Sequence, residues 1–391
     1  MSKRDVIMSW LHAGLQAVDP RRLTSAALAG ESGPLTVIAI GKAAPEMCWG
    51  AHEAVGAIEG LCIASRETEV PGGVELIVGD HPIPGESSLR AGMRALEMSG
   101  KAGLALLSGG GSALCEVPAE GLDLQLVAEV NRRMLEAGTN IELANMVRSH
   151  ISQIKGGGLG PLPTLVLSDV AGASPGVVSS GPTIASPGRP DEVLDFLSGL
   201  GIDITERLEE SVRRSGSLPD PEQRVVVIGD GRTAARAVAM MASQQTVTSV
   251  ANGWIQGDYL SALEELISAT PMGVTVAAGE PSVPVEDGRK GGRNTHTALS
   301  AAKMIEGTGI WFAALATDGA DGNSGSAGAI VDGTTVARGG SPDAALRTFD
   351  SATYLKRTGD LIETGPTGTN VADVWLVWKP ESGPQPILAS S

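Results

Sequence analysis

The sequence predicts an α/β protein built of two domains. Short runs rich in β-branched residues alternate with helical patterns along the chain, which is typical of parallel sheets joined by helices. A chain of 391 residues is long enough for two such domains. Glycine, with 52 residues, is roughly twice as frequent as usual and falls largely at the ends of apolar runs, where strands turn into helices.

The first predicted domain, residues 1–222, opens with an amphipathic helix and then repeats a strand, a glycine-containing loop and a helix. Its predicted elements are, in order, the helix 4–18, the strand 35–40, a helix that runs towards Gly56, the strands 74–78 and 104–107, the helices 122–138 and 140–154, the strand 162–167 and the helix 191–200.

The second predicted domain, residues 223–391, follows a segment at 213–222 that is rich in Ser, Pro and charge and is interpreted as a linker. Its final strand is also compatible with a return to the first domain. Residues 380–391 are expected to form an exposed tail. The predicted strands of this domain are 225–228, 246–251, 274–278, 311–316 and 374–378.

Composition excludes several classes of function. The formal net charge of −16 argues against nucleic acid or an anionic membrane as a partner. No run approaches ~20 apolar residues and no signal-peptide pattern opens the chain, so a cytoplasmic protein is expected. Three distant cysteines form no disulfide framework, and the five histidines lack the spacing of a zinc site.

A loop of three glycines is the strongest single motif. The apolar run 103–107 leads into Ser108, Gly109, Gly110, Gly111 and Ser112, which indicates a buried strand, a tight loop and the start of a helix. Glycines let the backbone approach a ligand closely, with N–H groups free to point at it. The loop therefore favours an anion, most plausibly phosphate, although such turns also occur for steric reasons alone.

Cations stand beside glycines at two places. Lys42 follows a strand and Gly41, at the expected start of a helix, where its charge would strengthen the attraction of an anion. Arg148 and Lys155 are seven residues apart and share one face if helical. Lys155 opens onto a second triple glycine, 156–158, which a helix C-cap explains equally well.

Acidic residues also follow predicted strands. Asp169 comes after the strand 162–167, where it can orient a hydroxyl, act as a base, hold Mg²⁺ or merely cap a helix. Asp318 and Asp321 follow the strand 311–316 and suit a metal site, a hydroxyl site or an Asx-turn. The basic loop 289–294 is expected to open a helix, with a solvated charge cluster as the alternative.

Widely shared nucleotide motifs are absent. Gly41-Lys42 is followed by Ala43, so it is not a P-loop, and no well-placed GxGxxG opens the chain. Ser112 has Leu114 where a nucleophile elbow needs glycine.

Nine segments, taken in order, closely resemble glycerate 2-kinases that have an N-terminal glycerate-kinase domain and a C-terminal MOFRL domain. The resemblance covers about residues 35–379. The matching segments are 41–44, 79–84, 107–114, 151–158, 167–183, 229–230, 291–294, 317–333 and 364–371.

The resemblance implies ATP-dependent phosphorylation of D-glycerate at its 2-hydroxyl, with Mg²⁺ on the nucleotide phosphates. It also implies an N-terminal Rossmann-like α/β/α sandwich, a C-terminal MOFRL-type α/β domain and an active site in the cleft between them. Glycerate and a nucleotide are then the partners, and a homodimer stays an open alternative. The catalytic residues carried over are Lys42, Asp169 and Arg293; the binding residues are His81, Ser108, Gly109, Gly110, Gly111, Ser112, Lys155, Asn294, Asp318, Thr367 and Asn370; Asp169 and Asp318 are the metal candidates.

The chain departs from the family pattern at three places near these residues. The loop after Asp321 reads Asn323-Ser324-Gly325-Ser326 instead of the more usual Pro/Thr/Asp form. Thr295-His296 stand where the family usually has Gln-Glu, and Pro281 replaces the usual Thr after Gly279-Glu280. Two alternatives therefore stay open, a nicotinamide-dependent hydroxypyruvate reductase and a non-catalytic protein that binds sugar acids. The reductase would need a dinucleotide fingerprint, which the sequence lacks.

Overall fold

The computed structural model describes residues 1–170, 175–185, 188–214, 224–283 and 289–380. Most of the predicted linker at 213–222 and the predicted tail after residue 380 lie outside these ranges. The chain divides into two compact units. The N-terminal unit is Asp19–Gly229, and the C-terminal unit joins Met1–Val18 to Asp230–Ser391.

Helices and strands alternate along most of the chain. In chain order they are α1 (Lys3–Ala17), α2 (Pro20–Ala27), β1 (Leu35–Ile40), α3 (Ala44–Val55), β2 (Ile58–Ala64), β3 (Val74–Val78), α4 (Glu86–Ser99), β4 (Leu104–Ser108), α5 (Gly111–Leu114), α6 (Leu124–Glu136), α7 (Ile141–Ile151), β5 (Thr164–Ser168), α8 (Pro190–Gly199), α9 (Glu206–Arg214), β6 (Val225–Asp230), α10 (Gly231–Ala242), β7 (Thr248–Val250), α11 (Tyr259–Ala269), β8 (Gly273–Gly279), α12 (Arg293–Met304), β9 (Trp311–Ala316), β10 (Gly328–Asp332), α13 (Thr335–Gly339), α14 (Asp343–Arg347), α15 (Ser351–Thr358), β11 (Leu361–Ile362) and β12 (Asp373–Lys379).

The N-terminal unit contains a six-stranded sheet in the order β3-β2-β1-β4-β5-β6. The pairs β1–β2, β2–β3, β1–β4 and β4–β5 are parallel. This is the doubly wound order in which the winding direction reverses between β1 and β4. Strands β4 and β5 are buried along their whole length, as their unbroken apolar sequences predict for a sheet covered on both faces.

One strand lies in a different sheet from the one predicted. The run at 225–228 was predicted to open the second domain, but β6 is the edge strand of the first sheet, next to β5. The sequence analysis also missed β2, in which Glu59 and Gly60 interrupt the apolar run. The misplacement of β6 has a physical reason, because a strand's own sequence carries no signal for the neighbour with which it pairs.

The C-terminal unit contains a mixed six-stranded sheet in the order β11-β10-β9-β12-β8-β7. The last strand, β12, lies inside this sheet and is antiparallel to both β8 and β9. It therefore does not return to the first sheet. The fully buried Phe312 and Trp375, on β9 and β12, pack edge to face with ring centroids 5.7 Å apart and belong to the core of this unit.

The first helix belongs to the C-terminal unit although it opens the chain. A capping box formed by Ser2 and Asp5 starts α1. The fully buried Trp10 packs against Trp378, with ring centroids 5.2 Å apart. The helix thus extends the core of a sheet whose strands begin more than two hundred residues later. None of the helices in the described part of the chain is both long and apolar enough to cross a membrane.

Arg4 fastens α1 to the edge of the second sheet. Its Nη1 donates to the carbonyl oxygens of Ile330 and Asp360, at 3.1 and 3.3 Å. Its Nη2 donates to the carbonyl oxygen of Leu361 at 2.7 Å. One half-buried guanidinium therefore satisfies three backbone acceptors on and beside β10 and β11.

We expect Arg4→Ala to lower the free energy of unfolding by about 2 kcal/mol, because it removes charged hydrogen bonds and leaves partly buried carbonyls unpaired. Denaturant titration followed by circular dichroism measures the loss. The exposed Arg22 offers the control, and Arg22→Ala should change stability by no more than about 0.5 kcal/mol. Equal stabilities of the two variants would contradict the proposed anchoring role.

Candidate functional site

The carboxyl ends of β1, β4 and β5 bring three of the predicted site elements together. Lys42 follows β1, the triple-glycine loop follows β4, and Asp169 follows β5. The strands are adjacent, with Ile40 opposite Leu107 and Ser108 opposite Leu167. Parallel neighbours lie about 4.8 Å apart, so the three loops share one edge of the sheet. This edge is the reversal point of the winding, where open α/β sheets bind ligands.

The loops after β1 and β4 are in direct contact. Gly41 has a φ of 130°, and a Cβ atom there would collide with the carbonyl oxygen and Oγ of Ser108. The Lys42 N–H donates to the carbonyl of Gly109 at 3.0 Å. The Ala43 N–H donates to Ser108 Oγ at 3.0 Å. Only glycine at position 41 lets the backbone approach this closely, and the approach fixes where Lys42 begins.

Gly110 shapes the loop beneath the Lys42 side chain. Its φ is 84°, in the left-handed region that favours glycine. A Cβ atom on Gly110 would lie 3.0 Å from Lys42 Cγ and 3.4 Å from Lys42 Cε, so the aliphatic stem of the lysine runs along this glycine. The sequence predicts that a helix starts after this loop. Helix α5 does start there, but it is only a single turn.

Two serines with strained backbone conformations contact both ends of the triple-glycine loop. Ser179 and Ser180 have φ values of 53° and 60°, a conformation that costs non-glycine residues of order 1–3 kcal/mol. Ser179 Oγ donates to the carbonyl of Ser108 at 2.6 Å. Ser180 Oγ lies 2.9 Å from Ser112 Oγ. The sequence analysis did not place these serines in the site; the small-residue run around them was the available signal.

The second triple glycine braces that serine turn. The Gly156 N–H donates to the carbonyl of Ser180 at 3.0 Å, and the Gly157 N–H donates to the carbonyl of Gly181 at 2.8 Å. The backbone donors of this loop are therefore engaged within the protein. Its glycines support the turn beside the first loop instead of forming a second ligand loop.

Lys155 is held in a buried ion pair. Its Nζ lies 3.4 Å from Glu116 Oε2 and donates to the carbonyl of Cys115, and the side chains of Lys155 and Glu116 are each 1% exposed. A charge so enclosed and paired is part of the core. We therefore leave Lys155 out of the proposed ligand contacts.

Two other predicted residues of this unit stand near the loops. His81 is exposed, and partial burial of its ring together with the Lys42 ammonium lowers its pKa. Asp169 is half-buried just beyond the end of β5. In the described ranges, no cluster of three or more His, Cys, Asp or Glu side chains is placed to hold a metal ion.

In the C-terminal unit, Arg293 is the first residue of α12, and two carboxylates bind its guanidinium. Its Nε and Nη2 donate to the two oxygens of Asp373 at 2.5 and 3.1 Å, and its Nη1 donates to Glu280 at 2.7 Å. Burial opposes the charged form of Arg293, but these carboxylates outweigh it and raise its pKa. Burial raises the pKa of Asp373 to about 6, and the guanidinium limits the rise.

Asp321 caps the same helix. Its two carboxylate oxygens accept from the backbone N–H groups of Asn294 and Thr295, both at 2.8 Å. The Asn294 side chain is fully buried, and its Oδ1 accepts from Trp375 Nε1 at 3.1 Å. Asp321 and Asn294 therefore hold the start of α12, and Arg293 is the residue of this segment that reaches the surface.

The remaining predicted residues meet in paired loops. Asp318 forms an Asx-turn, its Oδ1 accepting from the Ala320 N–H at 3.0 Å. The Thr367 hydroxyl donates to the carbonyl of Thr317 at 2.5 Å. Thr317 Oγ1 in turn accepts from the Val371 N–H at 2.9 Å, one residue after Asn370. These contacts tie the loop after β9 to the loop before β12, beside Asp373.

Comparison with known proteins agrees with this architecture. The family model described as a domain of unknown function, DUF4147, matches residues 6–217, and that of the MOFRL family matches residues 273–373. A D-glycerate 2-kinase of Thermotoga maritima is 32% identical over 86% of this chain and 89% of its own. A glycerate 2-kinase of Pyrococcus horikoshii is 32% identical to this chain, over 88% of this chain and 86% of its own. A solved glycerate kinase structure from Thermotoga maritima superposes with a TM-score of 0.85 at 29% identity, over 96% of this chain and 99% of that one.

The chain belongs to the glycerate 2-kinase family. The predicted family resemblance and the two-domain α/β fold with a MOFRL domain are thereby confirmed. The predicted roles of individual residues stay predictions.

At its departure from the glycerate 2-kinase family pattern, this member carries a buried histidine. His296 is 3% exposed and stacks on Phe349 with ring centroids 4.6 Å apart. Its Nε2 lies 3.0 Å from the Tyr259 hydroxyl, and its Nδ1 is buried without a hydrogen-bond partner among the described residues. Burial lowers the pKa of His296 to about 4, so the ring is neutral at pH 7.

This environment predicts a pH dependence of stability. The folded-state pKa of His296, about 4, lies below the ordinary value near 6.5, so folding disfavours the protonated ring. The stabilisation that comes from keeping this ring neutral is fully present above about pH 6.5. It is lost as the pH falls from there to about 4, which lowers the free energy of unfolding by about 3 kcal/mol in total.

In His296→Phe, this acid-dependent decrease in the free energy of unfolding should disappear, as measured by denaturant midpoints between pH 4 and pH 8. The exposed His12 on α1 supplies the control, and His12→Gln should keep the wild-type profile. A His296→Phe profile parallel to that of the wild type would show that this ring is not the sensitive group.

Proposed function

We propose that this protein is an ATP-dependent kinase that phosphorylates D-glycerate at its 2-hydroxyl, giving 2-phosphoglycerate and ADP. The observation that carries the proposal is the edge where β1, β4 and β5 end, because it places a lysine, a glycine loop and an aspartate together. The family relationship supports the same activity, since relatives of this chain are named glycerate 2-kinases.

Lys42 and the Ser108–Ser112 loop would hold the phosphate groups. Phosphoryl transfer depends mainly on positioning and on neutralising charge. In a chain of net charge −16, a cation fixed at the sheet edge is needed to attract a polyanion. The Lys42 stem lies along Gly110, so its ammonium and the loop N–H groups can act on the same phosphate oxygens.

Asp169 would act on the acceptor. In the proposed step its carboxylate accepts the proton of the 2-hydroxyl as the oxygen forms a bond to the γ-phosphorus of ATP. The bond from that phosphorus to the bridging oxygen breaks, and ADP leaves with the electron pair. The half-buried place of Asp169 beyond β5, beside the loop after β4, supports this role.

Within the C-terminal unit, Arg293 would bind an anionic group of a substrate. Asp373 and Glu280 use three of its five N–H donors and fix the plane of the guanidinium. Two donors make no hydrogen bond to a described residue and suit the oxygens of a carboxylate or phosphate.

We also propose that Mg²⁺ accompanies the nucleotide. When bound, the ion would neutralise charge on the phosphate oxygens. Mg²⁺ usually keeps several waters and takes only one or two carboxylates beside substrate phosphates, so a preformed cage of acidic residues is not required. Asp169 and Asp318, the candidates that the resemblance implies, are each able to offer one carboxylate oxygen to such an ion.

A screen for ADP release tests the proposal. The purified protein is given ATP and Mg²⁺ with D-glycerate, L-glycerate, hydroxypyruvate or tartrate, and phosphorus NMR locates the phosphate on the product. We expect D-glycerate to be the preferred acceptor, with phosphate on its 2-oxygen. Oxidation of NADH by hydroxypyruvate without ATP would instead favour the reductase. Heat of binding with glycerate but no ADP release would favour a non-catalytic protein.

We expect Lys42→Ala to lower kcat/KM by at least about 100-fold, because one preorganised charge near the transferred phosphate is typically worth ~3 kcal/mol. Steady-state ADP release measures it. Lys101 lies exposed in a turn of the same unit, so Lys101→Ala is the matched control and should stay near wild type. A folded Lys42→Ala enzyme with normal turnover would remove Lys42 from the mechanism.

Gly110→Val should abolish nucleotide binding while the protein stays folded. Valine at a φ of 84° is strained, and its Cβ would press on the Lys42 stem at 3.0 Å. Calorimetric titration with a non-hydrolysable ATP analogue measures the affinity. Gly100 has a negative φ and open space around it, so Gly100→Val is the control. Unchanged affinity in Gly110→Val would reduce the loop to a structural turn.

A further inference from the structure

Arg148, in the last turn of α7, carries a positive charge that is not paired with a carboxylate of any described residue. Its Nε donates to Asn131 Oδ1 at 2.8 Å, and its Nη1 donates to Asn145 Oδ1 at 3.3 Å. Both acceptors are neutral amides. In the described ranges, no carboxylate forms an ion pair with Arg148, and its Nη2 makes no hydrogen bond.

Two other partly or fully buried cations, one in each unit, have carboxylate partners. Lys155 is paired with Glu116, and Arg293 is held by Asp373 and Glu280. Burial lowers the pKa of Arg148, and the Glu116 carboxylate, already bound to Lys155, offsets only part of this effect. Leaving a half-buried charge without a paired counter-charge is costly to the folded protein. The cost is understandable if an anion supplies the missing charge.

A chain of hydrogen bonds joins Arg148 to the triple-glycine loop. Asn145, which receives the Arg148 Nη1 bond, also accepts from Ser180 Oγ at 2.7 Å. Ser180 Oγ lies 2.9 Å from Ser112 Oγ, at the end of the loop. Asn145 Nδ2 donates to the carbonyl of Val177 at 2.9 Å, which fixes the orientation of its side chain. The strained backbone at Ser180 is the link that brings the two ends together.

We propose that Arg148 binds the carboxylate of the acceptor and thereby selects acidic over neutral hydroxy compounds. The inference rests on the proposed function. The two amides fix the guanidinium plane, while Nη2 and the second N–H of Nη1 make no hydrogen bond to a described residue. Adjacent donors in one plane match the two oxygens of a carboxylate. In the proposed function, Lys42 and the glycine loop bind the phosphate, so Arg148 is left for the acceptor.

Acceptor discrimination tests this role. In Arg148→Lys and Arg148→Met, we expect the KM for D-glycerate to rise about 10- to 100-fold, because the bidentate contact is lost. The KM for ATP should stay within about twofold. The preference for D-glycerate over D-glyceraldehyde, which lacks the carboxylate, should fall by the same factor. A merely structural role would lower activity towards both acceptors alike.

The exposed Arg132, paired with Glu129 on the surface of α6, provides the control, and Arg132→Met should keep the wild-type preference. Circular dichroism establishes that each variant is folded, and Arg148→Lys keeps the charge if Arg148→Met does not fold. Unchanged KM and unchanged preference in a folded Arg148 variant would overturn the inference, as would a rise confined to the KM for ATP.

Calorimetric titration with D-glycerate, which needs no turnover, separates this inference from the proposed function. Binding that weakens in the Arg148 variants, in a protein that releases no ADP, would overturn the kinase and support the carboxylate contact. Binding and turnover that ignore Arg148 would overturn the contact alone. A wild-type protein that binds no D-glycerate at millimolar concentration would overturn both.

Discussion

The contact between Gly41 and Ser108 is the constraint on which the candidate site of the N-terminal unit depends. Because position 41 has no Cβ, the loop after β1 lies directly on the end of β4. The backbone hydrogen bonds from Lys42 to Gly109 and from Ala43 to Ser108 then fix one loop relative to the other. The placement of Lys42 over Gly110 follows from that arrangement. The serine turn then supports Ser108 through the hydrogen bond from Ser179.

Charge is distributed unevenly among the cations of this acidic chain. Lys155 and Glu116 form a closed pair that stabilises the fold around the second triple glycine. Arg293 shares its charge with two carboxylates that hold it in place at the start of α12. Among the residues that the structure describes, the hydrogen-bond acceptors of Arg148 are two amides. Neutral acceptors orient a guanidinium without neutralising it, so the choice between amide and carboxylate partners decides how much charge each arginine offers to a ligand.

The sequence predicts much of the fold and part of the candidate site. Strands with long apolar runs, such as β4 and β5, and helices with clear caps, such as those begun by Asp123 and Asn140, are found within a few residues of their predicted bounds. The triple-glycine turn is also where its sequence predicts it. These features depend on local patterns, which a single sequence displays directly.

What sequence alone did not predict depends on distant partners. Lys155 was a candidate ligand until Glu116, nearly forty residues away, proved to be its counter-ion. Asp321 was a metal or hydroxyl candidate, yet its carboxylate caps a helix that starts before it in the chain. Ser179 and Ser180 are a common residue type, and only their positive φ angles distinguish them from other serines of the chain. Pairing, capping at a distance and strain all arise from tertiary structure.

The membership of α1 in the C-terminal unit has a consequence for synthesis of the protein. The N-terminal unit is a continuous insertion, so its sheet can be completed on the ribosome as soon as β6 has emerged. The apolar face of α1, with Ile7, Trp10 and Leu11, is made first but meets its partner Trp378 only when the last strand is translated. Its other neighbour, α10, is made earlier, directly after the N-terminal unit, so the core around α1 is completed in two steps that both follow that unit.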